Sequence, residues 1–169
     1  MPVNQNIKEM NIVFDSLWKK MILGAAICLL LGTASGLSTT SEIDTWYQTI
    51  NKPTWNPPSW IFGPMWTTLY VMIGCAIGRI WHQLPSDGRK SAIGIFIAQF
   101  VLNLAWSPVF FGLHQIGLAL IIILTLVLFI ILTIKAFNRL DKVAALLMIP
   151  YLLWVSFASF LNYTIYTLN

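Results

Sequence analysis

Long apolar segments that carry almost no charge constrain the fold of this chain more than any other feature of its sequence. The segment 116–134, for example, contains no Asp, Glu, Lys or Arg. Across the 169 residues, 57% are hydrophobic and 9% are charged, whereas a soluble domain carries about 25% charged residues. So few polar side chains cannot cover a globule in water. The sequence therefore predicts a protein embedded in lipid.

The apolar segments are long enough to cross a bilayer as helices. A helix needs about 20 residues to span the hydrocarbon core, and in lipid only helices and closed barrels satisfy every backbone hydrogen bond. Barrel strands would alternate apolar and polar residues, which these segments do not. We predict an all-α membrane protein with a bundle of five transmembrane helices. Its parts are a polar N-terminal extension (1–18) and a transmembrane domain (19–169), with spans at about 21–40, 62–83, 91–111, 115–135 and 144–166 and a first loop at 41–61.

The positively charged residues predict how the helices are oriented. Lys52, in the first loop, is the one Lys or Arg on its side of the predicted bundle. Because Lys and Arg stay on the cytoplasmic side, we predict an integral, multi-pass protein with a cytoplasmic N-terminus and the C-terminus on the opposite side. The net charge of +4 is then a topology signal, and no nucleic-acid partner is expected. The nine residues on the N-terminal side are Lys8, Lys19, Lys20, Arg79, Arg89, Lys90, Lys135, Arg139 and Lys142.

Small residues recur at four-residue spacing on three of the predicted spans. Such stripes let helix backbones approach closely in a membrane, where burial of apolar surface does not drive association. They are consistent with packing inside one bundle or with the seam of a homodimer, and the sequence leaves both open. The stripes are Gly24, Cys28, Gly32 and Gly36 on the first span, Gly74 and Gly78 on the second, and Gly94 and Ala98 on the third.

Residues that commonly carry catalysis or bind metals are few and scattered. Cys28 and Cys75 both lie in apolar segments, without His or Cys neighbours at the spacing of metal ligands. His82 and His114 fall at helix ends on opposite sides of the membrane, so they cannot share a site. The sequence therefore predicts no metal site and no required cofactor.

Tryptophan stands out among the residue types, with eight in the chain. Trp55, Trp60 and Trp66 crowd into the junction between the first loop and the second span. Trp66 is expected one turn inside the helix, with Tyr70 next on the same face.

Two further spans present aromatic and polar residues on one face. A polar stripe on a membrane helix is expected to face the bundle interior. One interpretation is aromatic packing with interhelical hydrogen bonds. The other is a pocket for a flat, largely apolar ligand with the first loop as its lid, because aromatic walls stack on such a ligand while a few polar groups orient it. The residues are Gln99, Asn103, Trp106, Ser107 and Phe110 on the third span, and Tyr151, Trp154, Ala158 and Asn162 on the fifth.

At these residues the sequence resembles the tryptophan-rich sensory protein / translocator protein (TspO) family. The resemblance rests on Trp46-Tyr47 followed by KPTWNPPSWIFGPMWTTLY, on LNLAWSPVFFG (102–112) and on PYLLWVSFASFLNY (150–163). It covers almost the whole chain, and motifs this long and in this order are highly specific.

The resemblance implies a five-helix bundle, commonly a homodimer, that binds porphyrins and other tetrapyrroles in stress response or porphyrin homeostasis. It also implies a pocket for benzodiazepine-like and isoquinoline carboxamide drugs. Some bacterial members degrade protoporphyrin in light, which makes Trp66 and Trp154 candidate catalytic residues here. The ligand-binding residues implied are Tyr47, Trp66, Tyr70, Asn103, Trp106, Ser107, Phe110, Trp154 and Ala158, to which the Trp-rich lid adds Trp55.

One departure from the family and two alternative functions complete the prediction. Animal members carry a cholesterol-recognition pattern with a basic residue after a tyrosine, but no Lys or Arg follows Tyr163, which argues against sterol binding. A transporter of tetrapyrroles or lipids is one alternative, although no inverted repeat or intramembrane acid is visible. A regulatory adaptor is the other, and the first 18 residues would offer its main surface. Membrane lipid surrounds the protein in each case.

Overall fold

The computed structural model describes the backbone of residues 2–169 and the side chains of residues 16–169, and it confirms the all-α fold. Five described segments are long and apolar enough to cross a membrane: Ser16–Leu37, Ser59–His82, Asp87–Gly112, Ile116–Asn138 and Lys142–Leu168. The helices are α1 (Pro2–Leu37), α2 (Thr40–Asp44), α3 (Trp46–Thr49), α4 (Phe62–His82), α5 (Asp87–Ser107), α6 (Ile116–Asn138), α7 (Lys142–Leu147) and α8 (Ile149–Leu168).

From residue 59 on, the spans agree with the predicted segments to within about four residues at each end. The first differs more, because α1 begins at Pro2 and ends at Leu37, whereas the predicted span runs from 21 to 40. Helical backbone continues past the apolar core into polar residues, so hydropathy alone misplaces helix ends. The side chains of residues 1–15 lie outside the described part of the chain, so most of the predicted extension is described by its backbone alone.

Prolines determine where two of the spans change geometry. Pro108 begins a π-helical turn, Pro108–Gly112, which continues α5 by one turn and ends with the Leu113 N–H donating to the Pro108 carbonyl at 2.9 Å. In the fifth span, α7 and α8 are separated at Met148, two residues before Pro150. A proline has no N–H and its ring clashes with the carbonyl four residues earlier, which accounts for the break.

Helices α1 and α4 pack with direct backbone contact. A Cβ on Gly24 would meet the Gly74 carbonyl, and a Cβ on Gly78 would meet the backbone of Lys20 and Met21. Only glycine permits so close an approach. The other main contacts are α5 with α6, α6 with α7 and α8, and α4 with α7.

The end of the bundle opposite the first loop, called here the basic end, is closed by an ion pair. The Arg79 guanidinium donates to Asp141 Oδ2 at 2.8 Å, and the Asp141 side chain is 9% exposed. Asp141 also caps α7, because its Oδ1 accepts from the N–H groups of Val143 at 2.8 Å and Ala144 at 3.0 Å. Burial would raise the pKa of Asp141, but these N–H donors and Arg79 outweigh it and hold the pKa below its ordinary value.

Candidate functional site

A cavity of about 350 Å³ lies at the other end of the bundle, called here the loop end, beneath the first loop. Its volume falls in the range of small-molecule pockets, roughly 300–1,000 Å³. Helices α1, α4, α5 and α8 form its walls, and the first loop contributes Ile43, Tyr47 and Ser59. The site is therefore built where four spans meet a connecting segment.

One wall is a stacked aromatic pair on α4. The rings of Trp66 and Tyr70 lie 5.3 Å apart at an interplanar angle of 26°, as expected for residues four apart on a helix. The Tyr70 hydroxyl donates to Asn103 Oδ1 at 3.0 Å. The buried Tyr151 packs its ring edge-on against Trp66, with centroids 6.3 Å apart. These contacts fix the orientation of both wall rings.

A second stacked pair joins the end of α5 to the π-helical turn that follows it, where the rings of Trp106 and Phe110 are 5.1 Å apart. The Trp106 indole N–H donates to Asn162 Oδ1 at 3.1 Å, and Asn162 Nδ2 donates to the Ile116 carbonyl at 3.2 Å. Asn162 thus satisfies both of its amide groups inside the bundle and ties α5 to α8 and to the start of α6.

Trp154 of α8 completes the aromatic lining. Its half-buried ring meets Phe62 edge-on at 5.9 Å and lies 5.5 Å from Phe157. The Nε1 atom is buried and has no hydrogen-bond partner among the described residues. The ring is therefore held by packing alone.

The first loop places a buried tyrosine over the cavity. The Tyr47 hydroxyl donates to Asn56 Oδ1 at 2.8 Å, and the Lys52 ammonium lies 4.8 Å from the centre of the Tyr47 ring. Burial raises the pKa of Tyr47 to about 12, although the Asn56 hydrogen bond acts in the opposite direction. Tyr47 therefore stays neutral at physiological pH, and its ring packs against Phe110 and Phe111.

Hydroxyl groups join α1 to α5 on the cavity side. The Ser35 hydroxyl donates to the Leu104 carbonyl at 2.8 Å. The hydroxyls of Thr39 and Ser107 are hydrogen-bonded at 2.9 Å. Ser107 was predicted as a ligand-binding residue, and here its hydroxyl already has a partner within the protein.

The structure brings nine of the ten predicted ligand-binding residues to the cavity lining and leaves one outside. Trp55 is 42% exposed and stacks on Phe160 of α8, with ring centroids 5.2 Å apart. Its position in a Trp-rich segment did not indicate which surface its ring covers. The roles of all ten in binding stay predictions. The nine at the lining are Tyr47, Trp66, Tyr70, Asn103, Trp106, Ser107, Phe110, Trp154 and Ala158.

The structure also adds lining residues that the sequence interpretation did not select. Leu161 and Ile165 continue the face of α8 that carries Trp154 and the already predicted Asn162, so the periodicity could have identified them. The residues from α1 had no such signal, because a glycine and threonine segment is typical of helix packing. They are Gly32, Thr33, Ser35, Gly36 and Leu37.

The lining offers stacking surfaces and little acid–base chemistry. Among the described residues around the cavity, the titratable side chains are Tyr47 and Tyr70, and neither phenol is a useful acid or base near pH 7. No group of three or more His, Cys, Asp or Glu that could hold a metal occurs in the described part of the chain. The arrangement suits binding of a flat apolar molecule oriented by a few hydroxyl and amide groups.

Comparison with known proteins gives consistent matches over nearly the full length. The model of the TspO/MBR family matches residues 24–168. The Tryptophan-rich protein TspO of Chlorobaculum tepidum is 42% identical over 153 residues, covering 88% of this chain and 95% of the relative. The Tryptophan-rich sensory protein of Cereibacter sphaeroides is 37% identical, with coverage of 90% and 92%. The Translocator protein of Bos taurus is 38% identical, with coverage of 78% and 79%.

Proposed function

The chain belongs to the TspO/MBR family, and from this premise we propose that it is a membrane-embedded tetrapyrrole-binding protein acting in stress response or porphyrin homeostasis. The supporting observation is the pair of stacked aromatic walls, Trp66 with Tyr70 and Trp106 with Phe110, around one cavity at the loop end. A flat macrocycle can stack on such walls, while Asn103 and the hydroxyls orient its polar edge.

The same walls would accept other flat aromatic ligands. Benzodiazepine-like and isoquinoline carboxamide drugs share the planar apolar body that the cavity is shaped to stack against. Binding would need no metal or additional cofactor, so the porphyrin is the ligand or the substrate itself. A drug of either class should therefore compete with a porphyrin for this cavity.

The proposal includes an orientation and a homodimer. The positive-inside rule places the basic end, with Arg79 and Arg89, in the cytoplasm and the cavity near the opposite surface. Gly24, Gly74 and Gly78 are used in α1–α4 packing, whereas a Cβ on Gly94 of α5 would meet nothing within 4 Å. The α5 stripe therefore stays free to form a seam between two copies.

We further propose that Trp66 and Trp154 support light-dependent degradation of bound porphyrin. Indole rings are readily oxidised, and both line the cavity, where each could relay an electron from the light-excited macrocycle to oxygen, which is the oxidant and is reduced. The protein would supply positioning, and the ligand would supply the chemistry.

Titration of protoporphyrin into the purified protein tests both the proposed binding and the proposed light-dependent degradation. The parent should show quenched tryptophan fluorescence, and Trp66→Phe or Trp154→Phe should each weaken binding about threefold to tenfold, since an aromatic pair contributes about 0.5–1.5 kcal/mol. The double variant should also lose light-driven bleaching of the porphyrin spectrum.

Trp60→Phe is the matched control, because Trp60 is 74% exposed and lies outside the lining. It should bind and bleach like the parent. Equal binding by the parent and the double variant would place the ligand elsewhere. Full bleaching by a double variant that still binds would leave Trp66 and Trp154 as walls without a catalytic role.

A further inference from the structure

The first loop is fastened to the C-terminal end of α8. The Asn51 N–H donates to Asn169 Oδ1 at 2.9 Å, and Asn169 Nδ2 donates back to the Asn51 carbonyl at 3.0 Å. Trp55 adds its ring stack on Phe160, with an interplanar angle of 12°. A ligand arriving from water on this side would have to displace both contacts.

The first loop is also fastened to the connection between α5 and α6. The Trp46 ring stacks on the His114 imidazole at 4.3 Å, and His114 Nε2 lies 3.1 Å from Glu42 Oε2. Trp46 also contacts the lining residue Phe110 edge-on at 5.6 Å. The roof of the cavity is therefore tied down on two sides.

Two seams between the walls are bridged at the level of the cavity. Between α1 and α5, the hydrogen bonds from Ser35 and Thr39 close the gap. Between α4 and α8, the rings of Phe62 and Trp154 meet, with centroids 5.9 Å apart. Each seam has a side-chain contact that a ligand would need to break.

The seam between α1 and α4 differs from these two, because no side-chain contact bridges it near the loop end among the described residues. A Cβ on Gly32 would meet the Tyr70 ring, so at this level the two helices are in close contact. About 6 Å further along α1, a Cβ on Gly36 would meet nothing within 4 Å, and neither would one on Gly63, about 10 Å beyond Tyr70 on α4. Among the described residues, no hydrogen bond or ring contact joins α1 to α4 beyond Gly32.

The four residues that border this gap, Thr33 and Gly36 on α1 and Gly63 and Thr67 on α4, are exposed and also line the cavity. On a membrane-spanning helix, exposed surface that does not face the cavity faces lipid. We propose that this gap, the side opening, is where the ligand passes between the bilayer and the cavity, so that the protein takes its ligand from the leaflet at the loop end. This inference rests on the proposed function of the cavity.

The charges around the cavity indicate which chemical class can use this path. Lys52 is the single Lys or Arg between residues 21 and 78, and its ammonium is bound by the carbonyls of Tyr47 and Ile50. Among the described residues of the loop end, no other Lys or Arg is present to pair with an ionised group of a ligand, so such a group must stay among the headgroups. The fitting ligand is flat and apolar over most of its area, and any charge that it carries lies along one edge.

Stopped-flow fluorescence with the protein in lipid nanodiscs tests the side opening. Protoporphyrin should quench the tryptophan fluorescence of the parent. Gly36→Leu and Gly63→Leu should each lower both the association rate and the dissociation rate at least tenfold, with a much smaller change in Kd. Ala34→Leu is the matched control, because Ala34 lies on the same helix as Gly36, is exposed and lies outside the cavity lining. It should keep the parent's rates.

A second measurement uses a porphyrin with sulfonates on all four sides, which does not enter hydrocarbon. It should associate with the parent at least tenfold more slowly than protoporphyrin. If the parent binds protoporphyrin but both leucine variants keep its rates within twofold, the side opening is not the path. Equal rates for the two porphyrins would also overturn it. Absence of any binding by the parent would instead contradict the proposed function.

Discussion

Helices α1 and α4 lie side by side, yet the two halves of this pair differ. Toward the basic end, Gly24, Gly74 and Gly78 bring the two backbones into direct contact. Toward the loop end, Gly36 and Gly63 face open space beside the cavity. The same residue type, in one continuous stripe on α1, supports close packing in one half and leaves an opening in the other.

The difference teaches that small residues permit contact without determining it. Partners outside the pair decide which outcome occurs. At the loop end, hydrogen bonds from Ser35 and Thr39 attach α1 to α5, and Phe62 packs on Trp154 of α8. At the basic end, the Arg79–Asp141 ion pair attaches α4 to the start of α7, next to its glycine contacts with α1. In each half of the pair, the contacts with other helices determine how close α1 and α4 lie.

The largest effect is expected from enlarging a glycine in the packed half. In Gly74→Leu the new Cβ would collide with the backbone of Ala25, which cannot rotate away as a side chain can. The free energy of unfolding should fall by about 3 kcal/mol or more, measured by thermal or denaturant unfolding in detergent followed by tryptophan fluorescence. Gly36→Leu, in the open half of the same helix pair, should leave it nearly unchanged, because a Cβ there meets nothing within 4 Å. Similar losses in both variants would contradict the contrast between the packed and open positions.

A smaller effect is expected from removing the charge that closes the basic end. Asp141→Asn leaves Arg79 without its carboxylate, and it should lower the free energy of unfolding at pH 7 by about 2 kcal/mol, less than for a fully buried pair because the Arg79 side chain is 23% exposed. The lowered pKa of Asp141 predicts a pH dependence as well. Its stabilisation is present above about pH 4, the ordinary Asp range, and is lost as the pH falls through the lower pKa of the folded state.

Unfolding of the parent and of Asp141→Asn between pH 3 and pH 7 would measure this dependence, and the variant should lack that component. Asp87→Asn is the matched control, because the Asp87 side chain is fully exposed in its contact with Lys90 and such pairs contribute little. A larger loss in Asp87→Asn than in Asp141→Asn would be incompatible with the ion pair as a clamp.

The smallest effect is expected in the open half. In Gly63→Ala the added methyl group meets no neighbour within 4 Å, and alanine favours helix more than glycine does. The free energy of unfolding should stay unchanged or rise by less than about 1 kcal/mol. The same unfolding assay measures it, with Gly74→Ala as the comparison in the packed half. A clear loss in Gly63→Ala would mean that α1 and α4 touch there after all.

Much of the fold was predictable because its signals are local. Lipid requires about 20 apolar residues per helix, so five such segments predicted five spans without knowledge of any contact. The faces that carry Trp66 with Tyr70, and Trp154 with Ala158, also followed from the sequence, because residues four apart lie on the same side of a helix. Nine of the ten predicted ligand-binding residues lie at one cavity, but the list itself came from the family resemblance, and it alone indicated Tyr47 of the first loop.

What the sequence could not determine depends on which neighbour covers each face. Trp55 shares the Trp-rich segment with Trp66, but its ring lies on Phe160 outside the cavity. Helical spacing predicts that Gly24 and Gly36 lie on one stripe of α1, but it does not predict the distance from either residue to α4. Those distances follow from contacts between residues far apart in the chain, such as Ser35 with Leu104. The tertiary structure alone therefore decided that one half of the α1–α4 pair is packed and the other is open.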